Sequence, residues 1–215
     1  MSRKDLQNFI ESLYPERVTE IMSLFDRYHQ LLTEQNSRIN LVSRKTSEND
    51  YWNLHYLDSL LPLSKINLDH LSILDFGTGG GLPGIPLKIT CPNSTVYLLD
   101  SREKKIQVIR NIIKKLDLKR CFTIVSRLES LDQSWDSRFD AVVCRSVRIE
   151  SRYVERLLCL IKTEGKLILY KAKDFEDTEL FPDREIIDIS HPEIGTRKII
   201  VIRKQEGYGK NHYDR

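Results

Sequence analysis

Ser72-Ile-Leu-Asp75-Phe-Gly77-Thr-Gly79-Gly80-Gly81-Leu82-Pro83-Gly84 joins a short apolar run to a cluster of glycines. Ile73 and Leu74 are strand formers, Asp75 closes the run, and four glycines follow with no bulky side chain among them. Such a loop can turn through positive φ and bring its backbone N–H groups near a ligand. Pro83 and Pro86 suit the first turn of a helix, where a missing N–H costs little. The stretch therefore predicts a strand, a cofactor loop and a helix.

Spacing separates two cofactor classes. A dinucleotide fingerprint requires its third glycine where this chain has Leu82. The pattern here is D-x-G-x-G-x-G, with the carboxylate of Asp75 ahead of the first glycine. It resembles motif I of the S-adenosylmethionine-dependent methyltransferases more than a nicotinamide site.

Outward from the loop, the chain alternates. Thr95 to Asp100, Phe122 to Val125, Phe139 to Cys144 and Lys166 to Lys171 read as strands. The segment Glu103 to Leu116 carries Ile106, Ile109, Ile112, Ile113 and Leu116 at helical spacing, and Val154 to Ile161 forms the core of another helix. Alternation of this kind predicts a mostly parallel sheet with helices on both faces. Glu185 to Ile189 and Arg197 to Arg203 have no helix between them, which predicts one antiparallel strand at the end of a seven-stranded sheet. Upstream, residues 15 to 34 place Val18, Ile21, Met22, Phe25, Tyr28, Leu31 and Leu32 on one helical stripe. A second helix is expected over Ser47 to Leu61, with Ser47 as N-cap and Tyr51, Leu54, Leu57, Leu60 and Leu61 along one side. The expected organisation is an N-terminal helical extension over 1–70, an α/β domain over 71–204 and a loose polar tail over 205–215.

Composition bounds the function classes. The 215 residues are 40% hydrophobic and 30% charged, the balance of a globular chain able to bury a sizeable core. No apolar run approaches the ~18 residues of a membrane span, and the first residues lack the apolar core of a secretory signal. A cytoplasmic location is the expectation. Cys91, Cys121, Cys144 and Cys159 lie far apart with no Cys-x-x-Cys pair, so they read as core residues and no metal site is expected. Net charge is only +3, but residues 101–120 hold eight basic residues against two acids. That face suits phosphates or is simply a solvated helix surface.

In an open α/β sheet, ligands lie across the carboxyl ends of the strands. Asp100 ends the second strand, where a carboxylate can take both hydroxyls of a ribose in either adenosylmethionine or NAD. Ser126-Arg127-Leu128-Glu129 follows the third strand, within reach of an adenine edge. Arg145 and Lys171 end the fourth and fifth strands. Cations there would repel a sulfonium, so they suit an anionic substrate such as a phosphate. His55 and Asp58 share a helix face that can reach over the cleft or form a buried structural pair.

Taken in order, Asn40-Leu41, His55-Tyr-Leu-Asp58-Ser59-Leu60, the Asp75 to Pro86 stretch, Leu-Leu-Asp100-Ser101, Ser-Arg127-Leu-Glu129, Arg145 and Lys171 resemble one family. It is the bacterial small-subunit (16S) ribosomal RNA guanine-N7 methyltransferases, glucose-inhibited division protein B (RsmG/GidB). The likeness runs from about Asn36 to Arg203. It implies a class I methyltransferase fold, S-adenosylmethionine as cofactor and a guanine of small-subunit ribosomal RNA as substrate. It also implies that Gly77, Leu82, Leu128, Glu129 and Arg145 line the cofactor site, which the motif reading extends to Gly79, Gly81 and Asp100. The chain departs from the pattern at Leu54, where the family usually has arginine, at Ser146-Val147-Arg148, and at Ala172 in place of glycine. Because guanine N7 carries an in-plane lone pair, no general base is required. Arg145, Lys171, His55 and Asp58 become candidates for positioning the substrate, and a monomer is expected. The competing readings are a methyltransferase for another RNA or a small molecule, and a non-catalytic ribosome-assembly factor that keeps the pocket.

Overall fold

A computed structural model describes residues 2–43, 45–47, 50–172 and 176–204. The expected tail at 205–215 lies outside the described residues. Seven strands form one sheet: β1 (Ser72–Phe76), β2 (Thr95–Asp100), β3 (Cys121–Val125), β4 (Phe139–Arg145), β5 (Ile161–Lys171), β6 (Arg184–Asp188) and β7 (Lys198–Arg203). Their order is β3-β2-β1-β4-β5-β7-β6. β7 pairs antiparallel with both β5 and β6, while β1 to β5 pair in parallel, so β7 alone runs against the rest. The expected mixed sheet is present. β5 starts five residues before the expected Lys166, and Thr163-Glu164-Gly165 lies inside it as a bulge. Register jumps there from Phe139↔Ile161 to Ala141↔Lys166. Glu164 adopts φ 66°, and a Cβ on Gly165 would overlap the Ile161 side chain.

Among the described residues, five regular α-helices flank or precede the sheet: α1 (Ser2–Leu13), α2 (Val18–Asn36), α3 (Gly84–Thr90), α4 (Glu103–Leu116) and α5 (Ser151–Leu160). α1 was not anticipated. Its anchors are Leu6 and Ile10, both fully buried at i and i+4, too short a stripe to stand out among polar neighbours. α2 begins after a 3₁₀ turn at Pro15–Arg17, so Pro15 precedes the helix. On α2, Ile21, Phe25, Tyr28 and Leu32 are fully buried. They join the cluster that includes Ile73, Val96 and Leu98 of the sheet, so the N-terminal helices share one core with that face. Burying each such side chain contributes about 1.5–3 kcal/mol. The opposite face packs Leu74, Leu99, Val142 and Leu169 against Leu157 and Leu160 of α5.

The second expected helix is not a regular α-helix. Tyr51–Leu57 is π-helical, Asp58–Leu60 is one α turn, and Leu61–Ser64 is 3₁₀ around Pro62. Ser47 does cap the segment: its Oγ accepts from the Asp50 N–H at 3.3 Å and donates to the Asp50 carboxylate at 2.6 Å. In the wide turn the Asp58 N–H reaches back five residues to the Asn53 carbonyl. Tyr51, Trp52, Tyr56 and Leu57 are thereby turned inward, and Leu54, expected on the apolar side, faces out with 39% exposure. An α-helical count of 3.6 misplaces it because the turn is wider.

Candidate functional site

The glycine loop hangs from Asp75. This carboxylate is fully buried at the end of β1, and its Oδ2 accepts from the Thr78 hydroxyl at 2.6 Å and the Gly84 N–H at 2.8 Å. Burial pushes its pKa up to about 6, against the pull of those two donors. Its Oδ1 has no partner among the described residues. Of the loop N–H groups, expected to face a ligand, those of Gly77, Thr78, Gly79, Gly81 and Leu82 are spent inside the fold. Those of Gly77 and Thr78 donate to the Leu99 carbonyl at 2.9 and 3.0 Å, and those of Gly81 and Leu82 donate to the Thr78 carbonyl. The Gly79 N–H donates to Asp100 Oδ2 at 3.1 Å. The glycines are needed for backbone sign and close approach instead. Gly77 has φ +75°, and a Cβ on it would overlap Val147 Cγ2.

The N-terminal helices close over this loop. The Tyr28 hydroxyl on α2 donates to the Gly80 carbonyl at 2.7 Å. Buried Asn36 accepts the N–H groups of Leu41 and Val42 on Oδ1 and donates to the Tyr51 hydroxyl at 3.0 Å. That turn lays Val42 against Gly80, whose Cβ would come within 2.9 Å of it.

A cleft of about 940 Å³ opens between the glycine loop, the 41–43 turn, the π-helical segment and the ends of β4 and β5. Gly77, Gly79, Leu82, His55, Asp58, Arg145 and Lys171, all singled out in the sequence, line it. Gly81, Asp100, Leu128 and Glu129 do not. Gly81 packs against Ile85, Leu128 is buried in the second core, and Glu129 lies 3.6 Å from Arg152. Asp100 touches the rim through Gly79 and also accepts the Arg102 N–H at 2.9 Å. Of the basic run at 101–120, Lys105 alone lines the cleft, and burial lowers its pKa.

Arg145 and Lys171 are not bare. Arg145 donates through Nη1 to the carbonyls of Leu54 and His55 and to Asp58 Oδ2 at 3.0 Å. Asp58 Oδ1 accepts from Arg197 Nε at 2.7 Å, so one buried carboxylate ties together the π-helical segment, β4 and the residue preceding β7. His55 and Asp58 share the cleft without bonding to each other, because both carboxylate oxygens are held by arginines. His55 is pushed down to about 4, by burial first and then by Arg145, and its Nε2 is buried with no partner among the described residues. Lys171 bonds to both oxygens of Asp177, at 2.7 and 2.5 Å. Arg197 and Asp177 were missed because their partners are distant in sequence or arise from a turn with no periodic signal.

The cleft suits an adenosyl group. Its volume falls in the usual ligand range of about 300–1,000 Å³. The Asp100 carboxylate accepts two N–H bonds of the roughly four it can take, which leaves acceptors for ribose hydroxyls.

Comparisons with known proteins agree with this geometry. A family model described as GidB, rRNA small subunit methyltransferase G, matches residues 21–192. Proteins named ribosomal RNA small subunit methyltransferase G from Mesoplasma florum and Nostoc punctiforme are 38% and 39% identical over 71% of this chain. The match spans 64% and 65% of their own lengths, a little under two thirds. The protein of that name from Mycoplasma capricolum is 32% identical over 91% of this chain and 88% of its own. Among solved structures, a SAM dependent methyltransferase from Aquifex aeolicus has a TM-score of 0.54 at 17% identity, covering 67% of this chain and 89% of its own. A precorrin-6y C5,15-methyltransferase from Geobacter metallireducens has a TM-score of 0.52 at 20% identity, covering 68% and 87%. These two likenesses concern the fold, which is that of the class I methyltransferases. By the family match and the identity of its relatives, the chain belongs to the GidB family of rRNA small subunit methyltransferases G.

Proposed function

We propose that this chain methylates guanine N7 in small-subunit (16S) ribosomal RNA, using S-adenosylmethionine. The observation that carries the reading is the cleft: a glycine loop on one side and six cations against three carboxylates around it, in a chain of this family. The excess positive charge suits a polyanion.

Bound S-adenosylmethionine supplies an electrophilic methyl group on a sulfonium. Gly77, Gly79 and Leu82 shape its seat, and Asp100, bonded to the Gly79 N–H at the rim, takes the ribose hydroxyls; Gly81, Leu128 and Glu129, which the family resemblance and the motif put at the cofactor, lie behind this lining. Arg145, fixed by Asp58, keeps its charge in place at the junction with the substrate side. Lys171, His55 and Asp58 complete that side. Guanine N7 presents its lone pair in the ring plane, so the residues act by alignment, bringing reacting atoms to about 3–3.5 Å. His55 is neutral at neutral pH, which fits a packing or hydrogen-bonding role and not that of a cationic acid. An arginine or lysine that donates to O6 must leave N7 free, which excludes the bidentate contact to O6 and N7.

The partner is small-subunit ribosomal RNA or the subunit itself, met by a monomer in the cytoplasm. Among the described residues no helix is long and apolar enough to cross a membrane. The test is transfer of a labelled methyl group to purified small subunits that lack their own N7 modification, followed by identification of the labelled nucleotide. Label at one guanine N7 is expected. Cofactor binding without label would discard the target in favour of another RNA, a small molecule or a non-catalytic assembly role.

A further inference from the structure

Lys171 and Asp177 form a nearly buried pair on the substrate side of the cleft, their side chains 10% and 8% exposed. Lys171 ends β5 directly beside Arg145 of β4, whose register partner is Tyr170. Asp177 Oδ2 also accepts the Ile149 N–H at 2.8 Å. This ties the pair to the loop that carries Val147 over Gly77. The pair is therefore held from two sides and is net neutral, a poor anchor for a phosphate and a good reader of a neutral base edge. An ammonium has three donors, of which Asp177 uses two. A carboxylate has about four acceptor positions, of which Lys171 and Ile149 use three. Among the described residues one donor and one acceptor remain, on two bonded residues that both line the cleft.

We propose that Lys171 and Asp177 read the O6 and N1–H edge of the target guanine, Lys171 donating to O6 and Asp177 accepting from N1–H, and so set the base specificity of the enzyme. Guanine offers an acceptor beside a donor on this edge. Adenine offers the reverse, an amino donor facing the ammonium and a bare ring nitrogen facing the carboxylate, so both contacts turn repulsive. Reading O6 from the N1 side also leaves N7 open towards the cofactor side. The inference rests on the guanine reading above and deepens it.

The test uses short small-subunit ribosomal RNAs identical except for guanine, inosine or adenine at the accepting position. Their binding to protein loaded with S-adenosylhomocysteine is measured by anisotropy, together with methyl transfer. Inosine keeps O6 and N1–H and lacks only the 2-amino group. It is expected to bind within about threefold of guanine, with adenine at least about 30-fold weaker, the scale of one well-made bidentate base contact. Asp177→Asn should shrink the guanine–adenine gap to below about fivefold, chiefly by weakening guanine and inosine, with affinity for S-adenosylhomocysteine unchanged. Inosine as poor as adenine, or a gap that survives Asp177→Asn, overturns the assignment. If Asp177→Asn does not fold, the wild-type series decides alone. Discrimination in binding without methyl transfer would sink the catalytic reading and leave the base reading standing.

Discussion

Gly77→Ala isolates the geometry of the cofactor loop. Gly77 has φ +75°, and its Cβ would lie deep inside van der Waals contact with Val147 Cγ2. The left-handed backbone costs an alanine about 1–2 kcal/mol. Forcing a methyl group against a packed neighbour adds about 1–3 kcal/mol. The sum, about 2–5 kcal/mol, corresponds to roughly 4–20 °C in Tm for a chain of this size. The two parts separate in a double-mutant cycle, because Val147→Ala removes the clash and leaves the backbone term. Urea denaturation of the four proteins should show Gly77→Ala costing less in the Val147→Ala background than in wild type, by about 1–3 kcal/mol. Calorimetric titration with S-adenosylhomocysteine should show affinity lost in Gly77→Ala and partly restored in the double variant. Strict additivity, with no relief from Val147→Ala, would refute the placement of Val147 as the roof of the loop.

Other perturbations probe the rim. Asp58→Ala strips the buried partner from Arg145 and Arg197 and should cost about 3–5 kcal/mol in denaturant unfolding; a loss under 1 kcal/mol would mean the clasp is mostly solvent-screened. His55 has a folded-state pKa of about 4 against an ordinary 6.5. The unfolded chain binds the extra proton in that window, so the contribution of His55 is present above pH 6.5 and is lost as pH falls towards 4. The stability difference between wild type and His55→Gln should therefore shrink by about 2–3 kcal/mol from pH 7 to pH 4, and a pH-independent difference would contradict a buried neutral imidazole. Arg148 lines the cleft exposed, with no bonded partner among the described residues. Arg148→Gln should lower the slope of log affinity for RNA against log salt by about 0.7–0.9, and an unchanged slope would remove it from the phosphate contacts.

Local pattern carried far in this chain. Strand, glycine loop and helix stand where Asp75 to Pro86 predict them, because a β1 of five residues and a turn of glycines are set by neighbours in sequence. The amphipathic stripe of α4 and the unlinked terminal strands were equally legible, and with them the single antiparallel strand. Less legible were features in which tertiary contacts override the local period. α1 is held by two buried side chains, and the segment 51–57 takes a π-helical turn that moves Leu54 out of the apolar stripe.

For the site, residue types and spacing pointed to Gly77, Arg145 and Lys171, since strand ends in an open α/β sheet converge on one cleft. Their electrostatic condition was not readable. Arg145 and Lys171 look like free cations in sequence, and each is answered by a carboxylate, Asp58 at 87 positions and Asp177 at six. The loop N–H groups of Gly77, Thr78, Gly79, Gly81 and Leu82 likewise look available and are consumed by Leu99, Asp100 and Thr78. By itself, the sequence determined the fold class, the family likeness and the place of the cleft, because these follow from periodicity and from motifs contiguous in the chain. Only the tertiary structure decided which charges are neutralised, which glycine faces Val147 and how the N-terminal helices roof the loop. Ion pairs and close contacts depend on distances between segments that no spacing along the chain encodes.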